Sequence, residues 1–306
     1  MMEININSKI EIAKLVTKIE NHDDDLSTWA IKNIKGAQII GITGVFGSGK
    51  STLISKLAVK FLSEGKRVAV LGVDPSSPFS GGAVLGDRIR MKDLNRYENV
   101  YVRSLSSRGK VGGLSYFTAD VVNLFDALGF DVIIIETVGS GQDEIDIYNI
   151  AHTIVVIQVP TLGDEVQVIK AGQMEIGDIF VVNKADQGPA DEKIREIETL
   201  ITPRENGWIP KIIKTVAVRN QNIDELKNAI EEHYSYLKKN NMLYEKLILR
   251  LKYLLKQHIT FELDNLMDSS ISSQIAESLL KEKSITGSVN EILKILGEKY
   301  GEGRNI

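Results

Sequence analysis

Cysteine is absent from the 306 residues of the chain. That excludes disulfides, thiolate catalysis and any zinc or iron–sulfur site built from Cys, and it fits a reducing compartment. A basic excess is missing as well. Lys and Arg total 37 against 41 for Asp and Glu, a net charge of −4, whereas a protein that neutralises duplex phosphates carries surplus positive charge. Nucleic acid is therefore not an expected partner. No apolar run approaches the roughly 20 residues of a membrane span, and the stretch from Met1 to Glu11 mixes charges where a signal peptide needs an apolar core. The expectation is a soluble cytoplasmic protein with no membrane partner. What is present is ordinary for a globular protein: 43% hydrophobic and 25% charged residues. The length suits one large domain, or one domain with helical appendages.

The chain has three textures. Residues 1–36 show a helical apolar rhythm (Ile10, Ile12, Leu15, Val16, Ile19), an acidic break at His22-Asp23-Asp24-Asp25, and a second short helix through Trp29 and Ile34. Residues 37–222 alternate short apolar runs with amphipathic segments. Strands are expected at Gln38–Thr43, Arg67–Val73, Val100–Arg103, Asp131–Glu136, Thr153–Val159, Asp178–Val182 and Ile212–Val216, with helices between them such as Ser51–Glu64, Leu114–Leu128 and Glu192–Leu200. Most of these runs are apolar on both faces, as parallel strands covered by helices are. The pattern predicts an α/β fold with a mostly parallel, doubly wound sheet. From residue 223 the strand signal disappears. Leu243, Leu247, Leu251, Leu255, Ile259 and Leu263 repeat every four residues, an amphipathic helix of about six turns. Further helical stretches follow around Ile271–Leu280 and Val289–Leu296.

Chemistry begins after the first strand. Gly44-Val45-Phe46-Gly47-Ser48-Gly49-Lys50-Ser51 matches G-x-x-x-x-G-K-[ST] between an apolar run and a helix. Glycines there let backbone N–H groups close around phosphate oxygens, and a helix opening at Lys50, Ser51 and Thr52 adds its positive dipole end. Lys50 is placed to reach the β- and γ-phosphates, and the Ser51 hydroxyl to ligate Mg²⁺. This is the P-loop of a nucleoside triphosphatase. Asn183-Lys184-Ala185-Asp186, past the run Ile179–Val182, selects the base. The Asp186 carboxylate suits the ring N–H and exocyclic amine of guanine, while adenine offers no such donor pair and leaves a buried acid unpaired. The Lys184 stem packs along the base and Asn183 braces the loop. GTP is thus expected over ATP. Two further strands end in acids, Asp74 and Glu136, at the end of the sheet where ligands of open α/β folds sit. Glu136-Thr137-Val138-Gly139 stands where many GTPases carry D-x-x-G, with the Gly139 N–H available to the γ-phosphate.

Asp74-Pro75-Ser76-Ser77, Gly86-Asp87-Arg88-Ile89-Arg90-Met91, Glu136-Thr137-Val138-Gly139-Ser140-Gly141-Gln142 and Asn183-Lys184-Ala185-Asp186 together resemble the MeaB/ArgK family, over roughly residues 35–220. These are G-protein chaperones of methylmalonyl-CoA mutase and related adenosylcobalamin-dependent acyl-CoA mutases; older descriptions call them lysine/arginine/ornithine transport-system kinases. The resemblance implies that Asp74, Asp87 and Glu136 hold Mg²⁺ with Ser51, and that Asp87, Arg88 and Arg90 lie in a first switch loop. It also implies that Leu162–Gly172, with Asp164 and Lys170, forms an extra switch facing the mutase. For Asp164, N-terminal helix capping is an equally physical reading. Residues 223–306 would be a helical arm that pairs with a second copy, although the stripe can equally cover its own sheet.

Two positions depart from the family pattern. Val216-Ala217 replaces the usual Ser-Ala, yet the Ala217 backbone N–H can still serve the guanine carbonyl. Phe46 replaces a small residue or Pro and is expected to act on loop packing. For hydrolysis, Lys50, Glu136 and Gln142 are the candidate catalytic residues. Gln142 reads as a water-orienting group or as a polar helix start, and Arg88, Arg90 and Arg108 are candidate charge compensators. Slow hydrolysis, accelerated when a partner orders the switches, is expected. A nickel-type metallochaperone GTPase is disfavoured because the chain has no Cys and only His22, His152, His233 and His258. An ATP-dependent kinase of an amino-acid transport system is disfavoured by Asp186.

Overall fold

The seven apolar runs form seven parallel strands in one sheet. They are β1 (Gln38–Gly44), β2 (Val68–Asp74), β3 (Val100–Ser106), β4 (Val132–Glu136), β5 (Thr153–Gln158), β6 (Ile179–Val182) and β7 (Lys211–Lys214), in the spatial order β3-β2-β4-β1-β5-β6-β7. The computed structural model describes residues 8–74, 91, 94, 96–106, 114–137, 146–160, 171–267, 275, 277 and 284–301. Every residue of β1, β4, β5 and β6 is buried, because helices cover both faces of the sheet. Edge strand β7 is only partly buried and carries a lysine at each end, a device that discourages pairing with another edge.

Among the described residues the α-helices are α1 (Lys9–Glu20), α2 (Asp24–Lys32), α3 (Lys50–Ser63), α4 (Thr118–Ala127), α5 (Ala171–Ile176), α6 (Ala190–Leu200), α7 (Ile223–Lys239), α8 (Leu243–Met267) and α9 (Ile285–Gly301). The acidic break is a helix start: the Asp23 carboxylate accepts from the Leu26 N–H at 2.9 Å, and Asp24 and Asp25 fill the first turn, as the helix dipole favours. The core brings Ile40, Ile42, Val155 and Ile157 of the central strands against Leu53, Leu57 and Phe61 of α3 and against Leu226 and Ile230 of α7. Each such burial contributes about 1.5–3 kcal/mol.

Two compact units divide the chain, Met1–Tyr253 and Leu254–Ile306. Residues 1–36 fall in the first with the sheet. So does α7, which the loss of strand signal at residue 223 groups with the arm. Its Ile223, Leu226, Ala229 and Ile230 join the main core. The second unit leaves Leu255, Ile259, Ile285 and Leu293 more than half exposed, at 61%, 61%, 75% and 56%.

At the N-terminal end of the strands, His152 and His233 are not scattered but share one buried neighbourhood. His152 Nδ1 accepts from the Ile39 N–H at 3.1 Å. His233 meets Thr153 Oγ1 at 2.9 Å and lies 3.5 Å from Asp178 Oδ1. Burial pushes His233 down to about 3, with the Lys246 charge adding to it. Burial also holds His152 well below the ordinary histidine range, with Arg250 and Lys246 contributing. Asp178 is pushed up to about 6 by burial, against the opposing pull of Lys246 and the Ile154 N–H.

The linkage signs oppose one another. Each histidine, depressed in the folded state, contributes stability above pH 6.5 that is lost as pH falls. Asp178, raised, contributes stability that is lost as pH rises from about 4 to 6. Two histidines outweigh one carboxyl, so the melting temperature is expected to fall as pH drops from 7 to 5, measured by calorimetry. His233→Gln should flatten part of that slope, and a melting temperature that rises on acidification would contradict the assignment.

Candidate nucleotide site

The C-terminal ends of β1, β2, β4, β6 and β7 converge on one edge of the sheet, where open α/β folds bind ligands. β1 ends at Gly44, and residues 45–49 lead directly into α3, which opens at Lys50. The loop is backbone-shaped. Gly44 has φ 143°, and a Cβ there would stand 2.4 Å from the Ile157 carbonyl oxygen of β5. Gly49 has φ 90°, is the N-cap residue of α3 and makes no side-chain cap bond; a Cβ there would stand 2.6 Å from Asn183 Nδ2. The first turn of a helix has no intrahelical acceptors for its N–H groups, and a start of this kind, at Lys50, Ser51 and Thr52 in α3, suits phosphate oxygens. Phe46 is 76% exposed, so its ring does not supply the loop packing expected of it. Gly44→Ala is expected to destabilise the fold by at least about 2 kcal/mol, from the clash with backbone and the unfavourable φ. Urea unfolding would check this, and an unchanged midpoint would contradict the close approach.

Lys50 is 8% exposed, and its ammonium donates to the carbonyls of Gly44 at 2.7 Å and Val45 at 3.1 Å. That holds the charged tip inside the curl of the loop. The Ser51 hydroxyl donates to Glu136 Oε1 at 2.9 Å, with Ser51 and Glu136 7% and 6% exposed. Register explains the meeting, since Ile42 of β1 pairs with Glu136, the last residue of β4. Gly72 of β2 flanks Glu136 on its other side, two residues before Asp74 ends that strand. Thr137 ties back to β1 through its hydroxyl to Thr43 Oγ1 at 3.0 Å. A hydroxyl beside a carboxylate is a donor set that fits Mg²⁺, which takes one or two protein oxygens along with phosphate and water. Among the described residues no group of three or more His, Cys, Asp or Glu could hold a metal ion.

Asn183 is the joint of the site. It is 2% exposed. Its amide nitrogen donates to the Ser48 carbonyl of the phosphate loop at 2.8 Å. Its amide oxygen accepts from Thr215 Oγ1 at 3.0 Å and from the Ala217 N–H at 3.2 Å. The Ala185 N–H adds a bond to the Thr215 carbonyl at 3.1 Å. One buried amide thus locks the loops after β1, β6 and β7 together. Lys184, at φ 55°, turns the chain so that Asp186 follows. Asp186 Oδ2 lies 3.2 Å from Nη2 of Arg219, with side-chain exposures of 23% and 68%.

Several sequence expectations meet here: Gly44, Gly47, Ser48 and Gly49 on the phosphate loop, Lys50, Ser51 and Thr52 at the start of α3, Glu136 at the end of β4, Asn183, Lys184 and Asp186 after β6, and Ala217 after β7. The Ala217 N–H, expected to face the base, is directed at Asn183, so a base carbonyl would share that donor. Thr215 and Arg219 were not marked by any pattern, although Thr215 lies one residue before the Val216-Ala217 pair. Asp87, Arg88, Arg90, Arg108, Gly139, Gln142, Asp164 and Lys170 lie outside the described residues.

Comparison with known proteins adds the family. The family model for methylmalonyl-CoA mutase-associated GTPase MeaB matches residues 12–271. A Pyrococcus abyssi protein named as a GTPase is 42% identical over 94% of this chain and 87% of its own length. GTPase ArgK of Escherichia coli is 36% identical over 62% of this chain and 60% of its own. The mouse methylmalonic aciduria type A homolog is 36% identical over 63% of this chain and 48% of its own. Among solved structures, a LAO/AO transport system kinase superposes with a TM-score of 0.68 at 23% identity, covering 95% of this chain and 94% of that one. The hydrogenase maturation factor HypB of Archaeoglobus fulgidus gives 0.50 at 19% identity, over 68% of this chain and 98% of that one. These two support the P-loop nucleotide-binding fold. The matched span of residues 12–271, with the Pyrococcus abyssi relative that covers nearly the whole chain, places the chain in the MeaB family of methylmalonyl-CoA mutase-associated GTPases.

Proposed function

We propose that the chain binds and hydrolyses GTP, and that the nucleotide state gates the loading and protection of adenosylcobalamin on an acyl-CoA mutase of the methylmalonyl-CoA mutase type. The observation that carries the guanine reading is the Asn183 joint. It ties the phosphate loop to the loops bearing Asp186 and Ala217, so phosphate and base are held by one rigid unit. Membership of the MeaB family supports the choice of client.

In this reading Lys50 leaves the loop carbonyls for the β- and γ-phosphate oxygens, and the first turn of α3 receives the phosphates on its N–H groups. Ser51 and Glu136 hold Mg²⁺, with Asp74 and Asp87 as further acids. When bound, the ion neutralises charge on the β- and γ-phosphates. Glu136, Lys50 and Gln142 are the catalytic set, and Gly139 senses the γ-phosphate. Arg88, Arg90, Asp164 and Lys170 belong to switch segments that answer to the mutase. Hydrolysis alone is slow, because charge compensation and water alignment are completed only with the partner present. The exposed apolar residues of the second unit, Leu255, Ile259, Ile285 and Leu293, support pairing with a second copy. A monomer mass by light scattering at micromolar concentration would exclude that pairing.

The test is single-turnover GTP hydrolysis with and without the adenosylcobalamin-dependent mutase of the same organism. Stimulation of about tenfold or more, equal to about 1.4 kcal/mol of barrier, is expected. Unchanged hydrolysis with GTP still bound would remove the mutase from the reading and leave the GTPase.

A further inference from the structure

The ion pair between Asp186 and Arg219 sits where the base-reading carboxylate should be waiting for guanine. Its arginine comes from the turn that flanks the base site. Residues Ala217–Arg219 form a single 3-10 turn closed by Asn220 at φ 57°. Two bonds fix the start of that turn: Ala217 N–H to Asn183 Oδ1, and the bridge between Val216 and Gln221. The guanidinium therefore meets Asp186 from a fixed platform, at 3.2 Å.

The chemistry of the two donors is the same. The edge of guanine presents a ring N–H beside an exocyclic N–H on a planar, delocalised amidine, and the arginine fork presents parallel N–H groups on a planar guanidinium. A carboxylate that accepts one accepts the other. We propose that Arg219 is a built-in competitor for the base-reading carboxylate. Arg219 holds Asp186 when no base is present, and it yields the carboxylate when guanine enters. It reclaims the carboxylate as the nucleotide leaves. The residue then sets nucleotide affinity and exchange rate, while Asp186 sets base identity. Arg219 is 68% exposed, so water can receive its displaced charge. This proposal rests on the guanine reading of the site.

The experiment uses the full chain as wild type, Arg219→Ala, Asp186→Asn and the double variant. Dissociation constants and release rates are read with fluorescent GDP, and with fluorescent XDP for the variants carrying Asn at 186. An exposed ion pair of this kind is modest in strength, so Arg219→Ala should bind GDP about three- to fivefold more tightly. That corresponds to about 0.7–1 kcal/mol. Release should slow by a similar factor, and the gain should shrink in high salt as the pair is screened. In the Asp186→Asn background Arg219→Ala should change XDP binding by nothing measurable, because a neutral amide holds no ion pair. A general effect on loop structure would persist there.

Equal or weaker GDP binding by Arg219→Ala overturns the competitor role, and so does a gain that survives in the Asp186→Asn background. Wild-type protein that binds GDP no better than ADP overturns the guanine reading itself, and this role with it. The two failures are thereby told apart.

Discussion

Asp186→Asn is expected to weaken GTP and GDP binding by about 10²- to 10⁴-fold and to make XTP and XDP the preferred ligands. In the proposed site the carboxylate would accept both N–H groups of the guanine edge. An amide accepts only one and turns its own N–H₂ toward the other, leaving like groups opposed. Xanthine carries a carbonyl in place of the exocyclic amine, so the same amide now finds an acceptor. The loss of the exposed pair with Arg219 is worth at most about 1 kcal/mol in this variant and does not decide the outcome. Competition titration of both nucleotides against both proteins reads the exchange. Retained GDP affinity in the variant, within a factor of a few, would mean that Asp186 does not read the base.

Lys50→Ala is the second large effect, on rate more than on affinity. Removing one well-placed donor from a developing charge costs about 10²–10³ in rate, and the P-loop lysine is the cation aimed at the β- and γ-phosphates. Single-turnover GTP hydrolysis at saturating nucleotide should fall by that factor, while GDP binding should change less. The variant also loses the bonds to Gly44 and Val45 carbonyls at 2.7 and 3.1 Å, so its melting temperature should drop somewhat. Saturation with nucleotide separates the two effects. A rate within threefold of wild type would remove Lys50 from the chemistry.

Much of the sheet was legible because its strands are apolar on both faces and separated by helical periods. The runs at 38–44, 132–136, 153–158 and 179–182 are buried at every residue, and their apolar composition leaves few alternatives to parallel strands. β7 was harder to bound. Its Lys-Ile-Ile-Lys sequence is short and half exposed at the sheet edge, and the expected span Ile212–Val216 took in Thr215 and Val216, which belong to the loop. The placement of α7 was not legible either. A helix that covers a sheet and one that extends into an arm carry the same apolar spacing, and only the contacts of Ile223, Leu226 and Ile230 distinguish them.

The chemistry of the site was legible where one segment carries it, as in Gly44–Ser51 and Asn183–Asp186. It was not legible where it depends on two segments meeting. Asn183 is expected to brace a loop, but its partners Ser48, Thr215 and Ala217 come from two other loops. Arg219 and Asp186 are likewise joined only by the closing of the turn after β7. The buried grouping of His152, His233 and Asp178 is invisible in the sequence for the same reason: β5, α7 and the start of β6 bring them together.

The most direct test of the account is a calorimetric titration of the wild-type protein with GDP and with ADP, each in Mg²⁺ and again in chelator. Asp186 and the Asn183 joint predict GDP binding at least about a hundredfold tighter than ADP, and the Ser51–Glu136 pair predicts that chelation weakens it. Equal affinity for the two nucleotides would contradict the guanine site, whatever the family of the chain.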